Sequence, residues 1–163
     1  MIRLTTPVLV LTFAVAFEVA AQESATATLT STMPPIARLS LSANSLSFPD
    51  ADPDLVPQVP SSGGPIAITA RARAQRDAVV TLTVQAADDL RSGISVLPVS
   101  LITWTAAGPG FVNGTVSRSA AQLVGTWVGS GVRAGSQTFR FENRWTHPVG
   151  VYTVTLTYTL TAP

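Results

Sequence analysis

The chain has 163 residues, of which 46% are hydrophobic and only 12% are charged, and its formal net charge is +1. A nearly neutral protein does not attract nucleic acid or an anionic lipid surface through its overall charge, so we expect neither as a partner. The absence of cysteine excludes disulfides, thiolate zinc sites and thiol catalysis, and nothing in the composition indicates a cofactor.

Residues 1–21 have the pattern of a secretory signal peptide. Arg3 supplies a positive charge, and residues 8–17 form an apolar run that is too short to span a bilayer. Ala20 and Ala21 are the small residues expected before a cleavage site. We therefore expect cleavage after Ala21, no membrane span in the mature chain, and export to the periplasm, the cell surface or the medium.

The mature chain is predicted to begin with a short leader and to continue as one domain. Residues 22–35 are rich in Ser, Thr and Ala, which predicts either a flexible leader or an edge strand. A β-sandwich domain is expected over residues 36–163. Within it, residues 36–48 predict two short strands. The prolines of residues 49–65 predict an irregular crossover, because proline cannot donate to a sheet ladder.

Alternating apolar and polar residues predict the interior strands, because successive strand side chains point to opposite faces. The clearest examples are residues 66–73, with Ile66, Ile68 and Ala70 on one face, and residues 78–86. Shorter strands are predicted over residues 94–96, 100–105, 114–119, 123–128 and 137–143. The residues predicted to be buried are Val80, Leu82, Val84, Trp104, Phe139, Phe141, Leu156 and Tyr158.

Residues 151–163 alternate threonine with large apolar side chains and carry no charge. This pattern predicts one long β-strand with an apolar face and a hydroxyl face. The strand is expected to pair within its own sheet, and its lack of charge leaves an edge that another chain can use. The residues of this expected interaction strand are Tyr152, Val154, Leu156, Tyr158 and Leu160.

These elements together predict the fold class. Eight or nine short strands separated by turns, with no amphipathic helical window, favour an all-β, antiparallel Greek-key β-sandwich of immunoglobulin-like size. An up-and-down β-barrel is the alternative.

No residue pattern indicates a catalytic centre, and we expect a protein that is not an enzyme. His147 is the single histidine, it precedes Pro148 in a predicted turn, and no serine has the flanking glycines of a nucleophile elbow. Asp88 and Asp89 are adjacent in a predicted loop, where neighbouring carboxylates usually point apart.

Two further patterns concern ligands. Asp50, Asp52 and Asp54 are spaced like the ligands of a calcium loop, but the turn glycine and the later bidentate glutamate are missing, so we expect no metal site. The three tryptophans could stack on sugar rings if exposed, or pack in the core if buried. A carbohydrate-binding module is therefore kept as an alternative function. The tryptophans are Trp104, Trp127 and Trp145.

The last 62 residues, from Ile102 onwards, resemble the ending of bacterial surface domains of the WxL type. The similar segments are residues 102–105 (Ile-Thr-Trp-Thr), residues 125–128 (Gly-Thr-Trp-Val) and residues 150–163. Tyr158-Thr-Leu160 stands where that family has tryptophan-x-leucine. The resemblance implies an exported structural or adhesion domain that contacts other surface proteins or a cell-wall polymer.

The terminal pattern also resembles that of fimbrial subunits assembled by a chaperone and an usher. Such subunits have an alternating C-terminal strand, a glycine before it, here Gly150, and an aromatic residue near the end, here Tyr158. The resemblance implies self-assembly by donor-strand exchange, in which the leader of one subunit completes the sandwich of the next.

Overall fold

The computed structural model describes residues 27–163, of which residues 33–163 form one compact all-β unit. The predicted signal peptide and residues 22–26 lie outside the described residues. Residues 27–35 are exposed and belong to no strand, and no helix in the described part is long and apolar enough to cross a membrane. The described strands are β1 Ile36–Leu41, β2 Gln58–Pro60, β3 Ile66–Arg73, β4 Val79–Ala86, β5 Leu90–Ser92, β6 Ser95–Leu97, β7 Ile102–Ala107, β8 Gly114–Thr115, β9 Gln122–Val128, β10 Gly131–Glu142 and β11 Leu156–Thr161.

Two antiparallel sheets form the sandwich. The larger sheet has the order β1-β3-β10-β7-β8, with β2 beside the end of β10, and the smaller has the order β11-β4-β9. The strands β5 and β6 form a separate hairpin. Strands that are distant in sequence, β3 with β10 and β4 with β9, are neighbours, as Greek-key connections require. Within the described residues neither sheet closes on itself, so the predicted sandwich is confirmed.

The core lies between the two sheets. The inward faces of β3, β7 and β10 supply one wall, and those of β4 and β9 supply the other. Trp104 and Phe139 pack against each other across the β7–β10 pair, with their ring centroids 6.2 Å apart. Burial of each large apolar side chain stabilises the fold by about 1.5–3 kcal/mol. The largest fully buried side chains are Trp104, Phe139, Ile68, Leu82, Gln137, Val80, Val84, Val116 and Val124.

The interior strands follow the predicted pattern closely. β3 has the predicted bounds and buries Ile66, Ile68 and Ala70, and β4 begins one residue later than predicted. Of the eight residues predicted to be buried, Phe141, Leu156 and Tyr158 are only partly buried, although all three pack against the core. Their partial exposure reflects positions near the margins of the sandwich rather than reversed faces.

The terminal strand is shorter than predicted. β11 begins at Leu156, which lies opposite Ala86, the last residue of β4. Residues 151–155 therefore have no β4 residue to pair with, and only Thr153 makes an isolated bridge, to Arg91. The predicted faces are nevertheless correct from residue 152 to residue 161, because the apolar positions are partly buried and the threonines are exposed.

Several other boundaries differ from the prediction. Residues 36–48 contain one strand, β1, rather than two, and the strand predicted over residues 114–119 is only β8. The proline-rich residues 49–65 contain β2, whose Val59 is buried opposite Phe141, while Pro60 stands at the strand's last position. β10 begins at Gly131 rather than near residue 137, because residues 131–137 pair with β3.

Candidate functional site

β11 is an edge strand that is paired on one side. Its ladder with β4 runs from Leu156 to Thr161, and no other strand in residues 27–163 is hydrogen-bonded to it. β1 of the larger sheet lies close to β11 without sharing a ladder with it. We call this side of the sandwich, where the edge strands β1 and β11 lie near each other, the β1–β11 flank.

The free edge of β11 carries none of the features that usually prevent edge pairing, which are lysine, inward-pointing charge, proline and bulges. Residues Leu156–Thr161 are leucine, threonine and tyrosine only, and their ladder with β4 has no register shift. Thr157 and Thr159 are exposed on the outer face. The edge is therefore chemically open to another strand.

The opposite edge of the same sheet is protected. The ladder between β9 and β4 contains a register shift, which bends the strand and interrupts pairing. A loop also covers the outer side of β9. Val112 N–H donates to the Val124 carbonyl (2.9 Å), and Thr126 N–H donates to the Gly110 carbonyl (3.0 Å). The contrast between β9 and β11 distinguishes the β1–β11 flank from the closed side of the sandwich.

The β1–β11 flank also leaves part of the core uncovered. Leu39 and Leu41 of β1 and the core-facing residues of β11 are only partly buried, although they pack against fully buried residues. Covering such side chains with another strand removes apolar area from water and stabilises the complex. Of the predicted interaction residues, Leu156, Tyr158 and Leu160 lie in β11, whereas Tyr152 and Val154 precede it with the same parity.

Tyr158 connects the flank to the interior through a hydrogen bond. Its hydroxyl donates to Oε1 of Gln137 on β10 of the opposite sheet, at 2.6 Å. Gln137 is fully buried, and its Nε2 has no hydrogen-bond partner among the described residues. Burial raises the pKa of Tyr158 to about 12. The bond therefore fixes the position of β11 against the larger sheet with a neutral phenol.

The tryptophans divide into two buried residues and one exposed residue. Trp104 and Trp127 are buried, and their indole N–H groups donate to the carbonyls of Val112 (2.8 Å) and Pro109 (3.0 Å). Trp145 is 69% exposed. The first two are therefore core residues, and only Trp145 offers an aromatic face to a ligand.

The three aspartates of the calcium-like pattern lie in the loop before β2. The N–H of Asp54 donates to Oδ1 of Asp52 (2.9 Å), and the Trp145 indole donates to Oδ1 of Asp54 (3.1 Å). Asp50 is exposed at the start of the loop. In the described part of the chain, no group of three or more His, Asp or Glu side chains is placed to hold a metal ion. The carboxylates of Asp52 and Asp54 instead support the loop itself.

The two adjacent carboxylates after β4 are held by arginines. Asp88 accepts a hydrogen bond from Arg91 (2.7 Å), which lowers the pKa of the Asp88 carboxyl. Asp89 forms an ion pair with Arg118 (3.0 Å) and also accepts from the N–H of Val99 (3.0 Å). These contacts attach the β5–β6 hairpin to the sandwich, which is a structural role.

His147 lies in the turn between β10 and β11. Its ring packs against Phe141, with the centroids 5.6 Å apart. Its Nδ1 atom is buried and has no hydrogen-bond partner within residues 27–163. The arrangement is a packing contact, not the hydrogen-bonded nucleophile and base of a catalytic pair.

Comparison with known protein families matches none of them to this chain, and a search of curated proteins also finds no match.

The hydrogen bond between Tyr158 and Gln137 was not foreseen from sequence, because it depends on which strands face each other across the core. Gln137 carries a recognisable signal, since an amide on the same parity as Phe139 points into the core.

Proposed function

We propose that this chain is an exported, non-catalytic domain that acts by contact at the cell surface, with the β1–β11 flank as its contact surface. An extended segment of another chain pairs with the free edge of β11 and covers the partly buried side chains beside it. The observation that carries the proposal is the unguarded edge of β11.

The segment that we infer as the occupant is the leader of a second copy. Threonine stands at positions 28, 30 and 32, so the leader repeats the period-two pattern of β11. Leu29 and Met33 share the other parity and are 95% and 69% exposed. A strand that presents these side chains to the flank buries apolar surface on both partners. This is the donor-strand arrangement of the fimbrial subunits that the C-terminal pattern resembles.

Export is supported by the signal-peptide pattern of residues 1–21 and by the resemblance to WxL-type surface domains. The product secreted by the native host should begin at Gln22 or within a few residues of it, as N-terminal sequencing will show. Recovery of that product with Met1 in place would contradict export through a cleaved signal.

Lysines on the free edge test the contact surface. Thr157→Lys with Thr159→Lys adds charge at exposed positions of β11 and leaves every core-facing side chain unchanged. Thr126→Lys is the matched control, because it makes the same change on the exposed face of the covered strand β9. Sedimentation velocity of the mature chain should show concentration-dependent oligomers for the wild type and the control. The double variant should stay monomeric with an unchanged Tm.

Deletion of residues 22–33 tests the occupant. The shortened chain should fold and remain monomeric, and a free synthetic peptide of residues 22–33 should bind to it. Unchanged assembly after the deletion would overturn the leader as the donor strand. A wild type that is monomeric at every concentration would overturn self-assembly altogether.

A carbohydrate contact is the second candidate, and the exposure of Trp145 favours it. The indole N–H is held by Asp54, so the ring has a defined position on the surface. Retention on purified cell-wall polysaccharide that is lost in Trp145→Ala, but kept in the double lysine variant of β11, would select this function instead.

A further inference from the structure

Three arginines lie close together on the outer face of the larger sheet. Arg38 of β1 is directly opposite Arg71 of β3, and Arg73 follows two residues later on the same face. Opposed side chains in an antiparallel pair have Cβ atoms about 5 Å apart. A cavity of about 330 Å³, open to solvent, is lined by all three arginines together with Ile36 and Val132.

This group of arginines has no acidic partner among the described residues. The ion pairs of residues 27–163 involve Arg91, Arg118 and Arg144 only. Arg73 donates from Nε to the neutral carbonyl of Pro34 (2.8 Å). Like charges that lie directly opposite each other destabilise a sheet. The arrangement therefore leaves neighbouring positive charges without a counter-charge, which an anionic ligand would supply.

We propose that Arg38, Arg71 and Arg73 bind the phosphate monoester group of a small molecule. Three neighbouring guanidinium groups match a polyvalent oxyanion better than a single carboxylate, and each arginine can donate to two phosphate oxygens. The cavity volume lies at the lower end of the range for small-molecule sites. Ile36 and Val132 provide apolar surface for the body of the ligand.

This site differs from the strand-addition edge proposed above, although the two share a border at β1. The arginines are on the outer face of the larger sheet, whereas strand addition uses the free edge of β11 in the smaller sheet. Phosphate binding and assembly are measured separately, so either property can fail without the other. The overall charge of +1 is compatible with a site of this kind, because the positive charge is local.

Thermal unfolding of the mature chain tests the site with three probes, glucose 6-phosphate, inorganic phosphate and glucose, at constant ionic strength. A ligand at ten times its Kd should raise Tm by about 4 °C. We expect this shift with glucose 6-phosphate and no shift with glucose. An equal shift with inorganic phosphate would support the site with free phosphate as the ligand. The absence of a shift with both phosphate compounds would overturn the proposal.

Arg38→Gln and Arg71→Gln should each abolish the shift, and their ligand-free Tm should equal or exceed that of the wild type because the like-charge pair is removed. Arg140→Gln is the control, since Arg140 is exposed on the same face near the other end of β10. Retention of the shift in Arg71→Gln, or its loss in Arg140→Gln, would overturn the assignment. A lower ligand-free Tm in Arg38→Gln would contradict the uncompensated pair on which it rests.

Discussion

The hydrogen bond between Tyr158 and Gln137 offers a quantitative test of how β11 is fixed. Tyr158→Phe removes the hydroxyl and leaves the fully buried Gln137 amide without a partner among the described residues. Leaving a buried polar group unsatisfied costs about 1–3 kcal/mol. We therefore expect Tyr158→Phe to lower the free energy of unfolding by about 1–3 kcal/mol, measured by urea denaturation at neutral pH.

A second substitution separates this bond from general packing. In Tyr158→Phe combined with Gln137→Leu, both polar partners are replaced, and such a replacement is often neutral or stabilising. The double variant should therefore be at least as stable as Tyr158→Phe alone. A double-mutant cycle should give a coupling energy of about 1 kcal/mol or more. A Tyr158→Phe variant within about 0.5 kcal/mol of the wild type, with no coupling to Gln137, would refute the reasoning.

Three further predictions concern the pH dependence of unfolding and the packing of the core. Burial raises the folded-state pKa of Tyr158 to about 12, above the ordinary value of about 10, so the protein has its full free energy of unfolding from this residue below pH 10. As the pH rises from 10 towards 12, the free energy of unfolding should fall by about 2–3 kcal/mol, because the phenol ionises more readily in the unfolded chain. Tyr158→Phe should remove this part of the pH dependence. In urea denaturation, Leu156→Ala should lower the free energy of unfolding by about 1–2 kcal/mol, because Leu156 is only partly buried. Leu82→Ala should lower it by roughly 2–5 kcal/mol, because Leu82 is fully buried. Equal losses in the two variants would contradict this difference. Gly114→Ala should lower stability by about 1–3 kcal/mol, because a Cβ there would overlap the buried Trp104 indole, whereas a Tm equal to that of the wild type would show that the indole can move aside.

The sequence alone predicts the faces of the strands better than their lengths. The alternation in β3 and β4 correctly predicts which residues are buried, because a strand with one face on a core must keep a period of two. The length of a strand depends on where its partner strand begins and ends, and the residue pattern of a single strand carries no information about its partner. β11 starts at Leu156 only because β4 ends opposite it, at Ala86.

The candidate sites could be foreseen only in part. The uncharged terminal strand indicates an open edge from sequence, but its position at the edge of a sheet follows from the order of the strands. Arg71 and Arg73 share a face by their spacing alone, whereas the position of Arg38 requires the register between β1 and β3. Non-local pairing determines both the free edge and the arginine group.

Hydrogen–deuterium exchange of the mature wild-type chain, below and above the concentration at which it assembles, tests the central claim most directly. If a strand of another copy adds to β11, the outward N–H groups of residues 156–161 gain partners and their exchange slows on assembly. Residues 122–128 of β9 should exchange at the same rate in both states, because that edge is already covered. Unchanged exchange at residues 156–161, or slowing confined to another surface, would contradict the assignment of the β1–β11 flank as the contact surface.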